Sequence, residues 1–565
     1  MKNNPVILSI ITLALFGCHS NQVKVADKIF VNGNVLTVDS VNSIAQAVAI
    51  KEGKILAVGS SSEIEKLKDD KTEVIDLAGK TLIPGLIDGH SHFLRLEKFE
   101  TADISSPPVG TVTKIADIVT VLQDFKKEQN IKDGEWIFAR GYDPDELQEK
   151  RHPEKEDLDA AFPNNPVVLT HASGHLSVLN SAALKVSGID ANTKDPAGGI
   201  IVRKKGSKEP TGLLQEKAKS LIKEVRREHT FEEKLELLKR QQNYYASFGI
   251  TTAQDGRSSF ESVDFLEKAA QKKALFIDIE ALPAYEILDS LLKIPAYKFS
   301  TLENHLKLAG IKLGADGSPQ GKTAFFTIPF LTPVPGCDSD CKGFPTITQE
   351  YFNNAVIKVF KNNLQLYVHT NGDAAIDNYI SAVENANKIL NTKSVGKRPV
   401  VVHSQFVRAD QLDKYKELGL LPTFFTNHAF FWGDTHVANL GQDRAYFLSP
   451  LNSAIKKGII FTNHTDYSVT PLNQLFLLWT SVERKSRSGR VIGPDERVTP
   501  VEGLRAITIN GAYEYFEEKT KGSIEKGKLA DLVILSDNPI TIEFEKIKDI
   551  TVLETIKEGK TIFKK

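Results

Sequence analysis

At 565 residues the chain is too long for one small domain and long enough for a barrel plus a second module. Hydrophobic residues make up 41% and charged residues 25%, the balance of an ordinary globular protein, and a formal net charge of −1 removes any electrostatic case for a nucleic-acid partner. After the N-terminus no stretch approaches ~20 consecutive apolar residues, so nothing later is expected to span a membrane.

Taken from the start, Lys2 is followed by an apolar stretch over 6–16, of signal-peptide length rather than membrane-span length. It ends in Leu15-Phe16-Gly17-Cys18, which resembles the lipobox of a bacterial lipoprotein. The expectation is a signal peptide over 1–17 and a lipid anchor on Cys18. The protein would then be exported to the cell envelope and touch the membrane only through that anchor. A plain secretory signal with Cys18 incidental is the alternative. Next come short strand-like pieces at 28–32, 35–38, 45–51, 54–58 and 73–76, broken by Asn32-Gly33, Glu52-Gly53 and Ala78-Gly79. Matching pieces stand at 531–535, 550–556 and 560–564. The economical reading is one small β-sandwich built from 18–81 and 516–565, with a large domain over 82–515 inserted between.

That large part alternates apolar strand runs with helical stretches, which predicts an α/β fold with a parallel sheet. Eight strands are expected, at 82–89, 249–254, 275–281, 308–313, 364–368, 399–402, 421–425 and 458–461, the number that closes a (β/α)8 TIM-like barrel. The stretch near 100–245 is set aside as an insertion, with strand-like 136–139 and 167–170 and a charged helix over 230–246.

Chemistry-bearing residues fall at the ends of these strands. In Leu82-Ile-Pro-Gly-Leu-Ile-Asp-Gly-His90-Ser-His92, residues two apart point the same way, so His90 and His92 aim together at the barrel mouth. Lys312 closes an otherwise apolar run, where a cation is costly unless neutralised, paired or modified. His369 and His403 end the next two strands, and Asp466 follows the last. Active sites of such barrels lie on that face.

With these residues in hand, the chain resembles the amidohydrolase superfamily. Within it, the likeness is to the amidohydrolase 3 group of YtcJ-like and N-substituted formamide deformylase-like proteins. The likeness is carried by the His90–His92 junction, Val31-Asn-Gly-Asn-Val-Leu-Thr-Val38, Ile311-Lys-Leu-Gly-Ala-Asp-Gly317, His369-Thr-Asn-Gly-Asp-Ala-Ala-Ile-Asp377 and Gly527-Lys-Leu-Ala-Asp-Leu-Val-Ile-Leu535. It implies that His90, His92 and Asp466 bind one divalent metal and that His369 and His403 bind a second. Lys312, carbamylated by carbon dioxide, would bridge the two. One metal with unmodified Lys312 stays open, and the donors suit zinc without excluding manganese, iron or cobalt. The implied activity is hydrolysis of a non-peptide carbon–nitrogen bond, amide-type, N-acyl or N-formyl, in a small-molecule substrate. Asp466 would be the catalytic base and then the acid. The same site acting on an ester, lactone or phosphoester, and a non-catalytic surface binding protein, are the alternatives. Thr465 stands where serine or glycine is more usual, and Val402 where glutamate is common.

Smaller expectations follow. His171 and His175 in the insertion either reach the substrate or make structural hydrogen bonds. Trp432, with Phe430 and Phe431, either walls a substrate pocket or packs in the core. Cys337 and Cys341 are expected to pair as a disulfide in an oxidising compartment, a metal pair being the alternative. The segment 327–343 is a candidate lid, and Asp316 and Asp373 are candidates to orient the histidines.

Overall fold

The computed structural model describes residues 25–107, 109–144, 146–172, 176–196, 199–225, 227–334 and 339–565. Cys18 and its flanking signal-like stretch, His175 and Cys337 lie outside them. Among the described residues no helix is long and apolar enough to cross a membrane.

Both chain ends supply one pair of sheets. Four strands pair in the order Lys54–Gly59, Ala47–Lys51, Lys28–Val31, Glu73–Asp76. Six pair in the order Lys560–Lys564, Val552–Lys557, Leu532–Leu535, Thr81–Pro84, Asn34–Leu36, Ile44–Ala45. Phe30, Val48 and Ile50 of the first share a core with Val35, Leu82, Leu532, Ile534 and Ile556 of the second. The run Leu532–Leu535 is continuously apolar because both its faces are covered. Leu532 and Ile534 enter that core, whereas Val533 and Leu535 join Tyr245 and Ile250 on the opposite side.

Among the described residues the central part holds nine parallel strand pieces in two sheets. One runs Leu86–Ile87, Ile250–Ser258, Asp278–Pro283, Leu306–Leu308; the other runs Ile311–Gly314, Leu366–Thr370, Val400–His403, Leu421–Phe424, Thr462–Asn463. A parallel bridge between Ala284 and Lys312 links the sheets. At the far edge, the Asp466 amide donates to His90 O (3.0 Å) and the Thr465 hydroxyl to Asp88 (2.6 Å).

Three expected strands are corrected. The run 82–89 divides at Gly85: Thr81–Pro84 pairs with Leu532–Leu535, and only Leu86–Ile87 pairs with Ile250–Thr252. The division needs glycine, because a Cβ there would fall 2.3 Å from Thr251 Oγ1. The run 308–313 is interrupted at Ala309-Gly310. The run 458–461 precedes its strand, which is Thr462–Asn463; Ile459 and Phe461 are buried there without pairing in the sheet. Elsewhere strands start up to three residues later than expected, because apolar residues such as Leu275 and Ile277 already belong to the core before sheet pairing begins.

The insertion is a domain-like layer, with a six-stranded mixed sheet ordered Gly199–Arg203, Pro210–Glu216, Leu176–Leu179, Val167–His171, Ile137–Tyr142, Ala102–Asp103. Helix Ile115–Glu128 covers one face through Ile115, Ile118 and Leu122. The charged helix spans Phe231–Ser247, started by Thr230 and Glu233 in a reciprocal capping box. Its Gln241 donates to Phe93 O, 2.6 Å away and one residue beyond His92.

Candidate metal centre

His90 and His92 leave the strand Leu86–Ile87 and meet Asp466, which follows Thr462–Asn463. The two Nε2 atoms lie 3.6 Å and 3.4 Å from Asp466 Oδ1. Their outer nitrogens fix which atom carries the proton. His90 Nδ1 is 2.5 Å from Gln254 Oε1. That amide is held in place because its Nε2 donates to Gly89 O and to the Tyr515 hydroxyl. His92 Nδ1 is 2.8 Å from Gly256 O, a carbonyl that can only accept. In the neutral rings both Nδ1 atoms are therefore protonated, and both Nε2 lone pairs face the carboxylate. Asp466 Oδ1 is buried and has no hydrogen-bond partner among the described residues. Lone pairs directed at an unsatisfied carboxylate oxygen repel one another unless a cation sits between them, so the residues present fit a divalent ion.

A second group adjoins the first. Lys312 Nζ lies 3.1 Å from His90 Nε2, and His369 Nδ1 lies 2.9 Å from His403 Nε2. The His403 and His90 rings are 5.4 Å apart, and His403 Nδ1 is 4.0 Å from Asp466 Oδ2. All six expected residues thus form one cluster on the face reached by the C-terminal ends of several strands. His403 (φ 70°) and Asp466 (φ 49°) turn into it through the left-handed backbone region.

Burial governs the charges here. It lowers the Lys312 ammonium to about 7 and His369 to about 4, and in both histidine groups nearby Lys312 adds to it: His90 and His403 are held well below the ordinary imidazole range. Burial pushes Asp466 upward, but the polar and cationic groups around it outweigh burial and keep the carboxyl below its usual value. The site thus holds His90, His369 and His403 as neutral imidazoles, an amine close to losing its proton and an ionised carboxylate.

Other expected residues divide. Asp316 accepts from the amides of Asn371 (2.9 Å), Gly372 (2.8 Å) and Phe325 (3.0 Å) and stands 3.6 Å from His369 Nε2. Asp373 is a correction, because it binds Thr327 and Arg408 rather than a histidine. It thereby ties down Thr327 at the start of the candidate lid segment, in which Phe330 is buried. His171 ends an insertion strand beside Tyr142 (5.4 Å between rings), His152 and Asp143. Trp432, on helix Asn427–Leu440, packs on His428 at 4.5 Å, and His428 packs on Phe425, itself 4.6 Å from His464. Cys341 is disulfide-bonded. A second cluster, Asp278, His305 and Glu558, lies elsewhere. Lys521 and Lys557 already engage Asp278, so that cluster is an ion-pair network rather than a cation site.

Sequence reasoning missed Gln254, His428 and His464. For His464 the signal was present: it stands two residues before Asp466, the spacing that picked out His90 and His92.

The fold is shared with proteins of known structure. An uncharacterised metal-dependent hydrolase from Pyrococcus horikoshii superposes with a TM-score of 0.71 over 92% of this chain and 99% of that one, at 23% identity. A model of the amidohydrolase family matches residues 73–563, and the chain belongs to that family. It is 28% identical to an N-substituted formamide deformylase of Arthrobacter pascens, over 94% of this chain and 97% of the relative. It is also 30% identical to the protein LONG AFTER FAR-RED 3 of Arabidopsis thaliana, over 95% and 92% respectively. Family membership implies a hydrolase that uses a divalent metal.

Proposed function

We propose that the chain hydrolyses a non-peptide carbon–nitrogen bond, N-acyl or N-formyl, in a small molecule. The observation that carries this is the convergence of His90 and His92 Nε2 on Asp466 Oδ1, which has no hydrogen-bond partner among the described residues. The deformylase relative supports the bond type. We read the two parallel sheets as one closed (β/α)8 barrel, and the sheets from the chain ends as a β-sandwich beside it.

In this reading His90, His92 and Asp466 would hold one ion and His369 with His403 would hold a second, most readily zinc. Lys312 Nζ lies 3.1 Å from His90 Nε2 and would bridge the two groups. With its ammonium lowered to about 7, it has a neutral amine able to add carbon dioxide, releasing one proton and giving an anionic oxygen ligand. When bound, the ions acidify water towards ~7 and polarise the scissile carbonyl. Asp466 takes the proton of the attacking water and returns it to the leaving nitrogen. Gln254 and Gly256 hold the histidine rings throughout.

The test is a matched panel of N-formyl and N-acyl amines against esters, lactones and phosphoesters, run with zinc-loaded protein. Preference for the amides supports the proposal. Preference for an ester or phosphoester would reassign the bond while leaving the centre intact, and no turnover of any class by metal-replete protein would overturn it.

A further inference from the structure

His464 is fully buried on the segment that leaves Thr462–Asn463. Its ring lies 5.0 Å from His403 and 5.3 Å from His90. Its Nε2 is 3.3 Å from His403 Nδ1, whereas its own buried Nδ1 has no hydrogen-bond partner among the described residues. The other nitrogen of His403, Nε2, faces His369 Nδ1 at 2.9 Å. The two ring nitrogens of His403 are thus divided: one looks into the pocket, the other onto His464.

A ligating imidazole keeps its lone pair on the ligating nitrogen and its proton on the other, and that proton goes to an acceptor behind it. Gln254 and Gly256 serve His90 and His92 in this way. For His403 the nearest carboxylate oxygen, Asp466 Oδ2, is 4.0 Å from Nδ1, beyond hydrogen-bond reach. His464 Nε2 is the acceptor within range. It stands behind His403, not in front of it, so it is not itself a ligand.

We propose that His464 is a positioning residue of the metal centre: its Nε2 accepts the Nδ1–H of His403 and sets the tautomer and tilt that aim His403 Nε2 into the pocket. The inference rests on the metal-centre reading above. It accounts for a polar ring in a fully buried place. In this arrangement neutral His464 carries its proton on Nδ1, the atom without a partner, and an apolar core residue of similar volume would avoid that burial cost.

The test compares His464→Leu and His464→Gln in the full-length chain, stripped of metal and titrated with zinc against a chromogenic chelator. The leucine variant is expected to bind zinc about 10- to 100-fold more weakly, and the glutamine variant, whose Oε1 can take the place of Nε2, to stay within about threefold of the unaltered chain. No loss in the leucine variant, or equal loss in both, overturns the inference. Should the leucine variant fail to fold, the zinc-loaded unaltered chain carrying 15N-histidine decides. There His403 Nδ1 must be protonated and coupled across the hydrogen bond to His464 Nε2, and an unprotonated Nδ1 overturns the proposal. An unaltered chain that binds no zinc defeats the metal-centre reading and this inference with it. Tight zinc binding by both the unaltered chain and the leucine variant defeats the inference alone.

Discussion

His403 and Asp466 enter the pocket through left-handed backbone, a conformation that costs each roughly 1–3 kcal/mol and persists only where the surroundings over-determine it. Here the surroundings include the Asp466 amide on His90 O and the Thr465 hydroxyl on Asp88. Asp466→Asn keeps the shape and removes the proton acceptor. It is expected to lower kcat about 10²- to 10⁴-fold with the unfolding midpoint nearly unchanged, measured by steady-state kinetics and thermal melting. Lys312 gives a pH dependence. Burial lowers its ammonium from 10.5 to about 7, so between those values the unfolded chain holds a proton that the metal-free folded chain has released. The stability contributed at this position therefore rises with pH across that window, and its cost is complete below it. Metal-free Lys312→Met is expected to exceed the unaltered chain in stability below pH 7 by an amount on the order of a few kcal/mol, the difference closing towards pH 10.5. Parallel pH profiles for the two would show that the ammonium is not desolvated.

At the scale of elements, two glycines decide where strands begin and end. A Cβ at Gly85 would fall 2.3 Å from Thr251 Oγ1, and one at Gly310 would fall 2.6 Å from Gln365 O. Gly85 is where the chain passes from the antiparallel partner Leu532–Leu535 to the parallel partner Ile250–Thr252. Gly85→Ala is therefore expected to destabilise by about 1–3 kcal/mol, as overpacking does. Gly396→Ala, where nothing lies within 4 Å of the added carbon, is expected to melt like the unaltered chain. Melting curves that coincide for both would mean that Thr251 moves aside without cost. The break at Gly85 was hidden in the sequence because Leu82-Ile-Pro-Gly-Leu-Ile reads as one apolar run: both halves are buried, but in different sheets.

For the whole molecule, the site joins residues from both parallel sheets, so an ion bound there ties the two together. Removing it is expected to lower the unfolding midpoint and re-adding zinc to restore it, since an ion held at 100 times its dissociation constant adds about 2.7 kcal/mol to the folded state. An unchanged midpoint after chelation, with metal loss confirmed by elemental analysis, would show that no ion bridges the sheets. The chain ends act on the same scale. Thr81–Pro84 and Leu532–Leu535 lie side by side although some 450 positions separate them, and their outer residues Ile83, Val533 and Leu535 pack against the central part.

By itself the sequence determined the alternation of strand and helix and the parallel order, and it singled out six residues that the folded chain brings close together. Each of these depends on local periodicity: residues two apart share a face, and apolar runs mark buried strands. His464 belonged to the same register two residues before Asp466, yet only the folded chain gave it a role, by placing its ring behind His403. Gln254 and Gly256 show the same limit, because an amide and a carbonyl become partners of His90 and His92 only when neighbouring strands pair. The insertion sheet and the passage at Gly85 were likewise decided by tertiary structure. Which sheet an apolar run joins depends on partners more than a hundred residues away, and no pattern within the run records them.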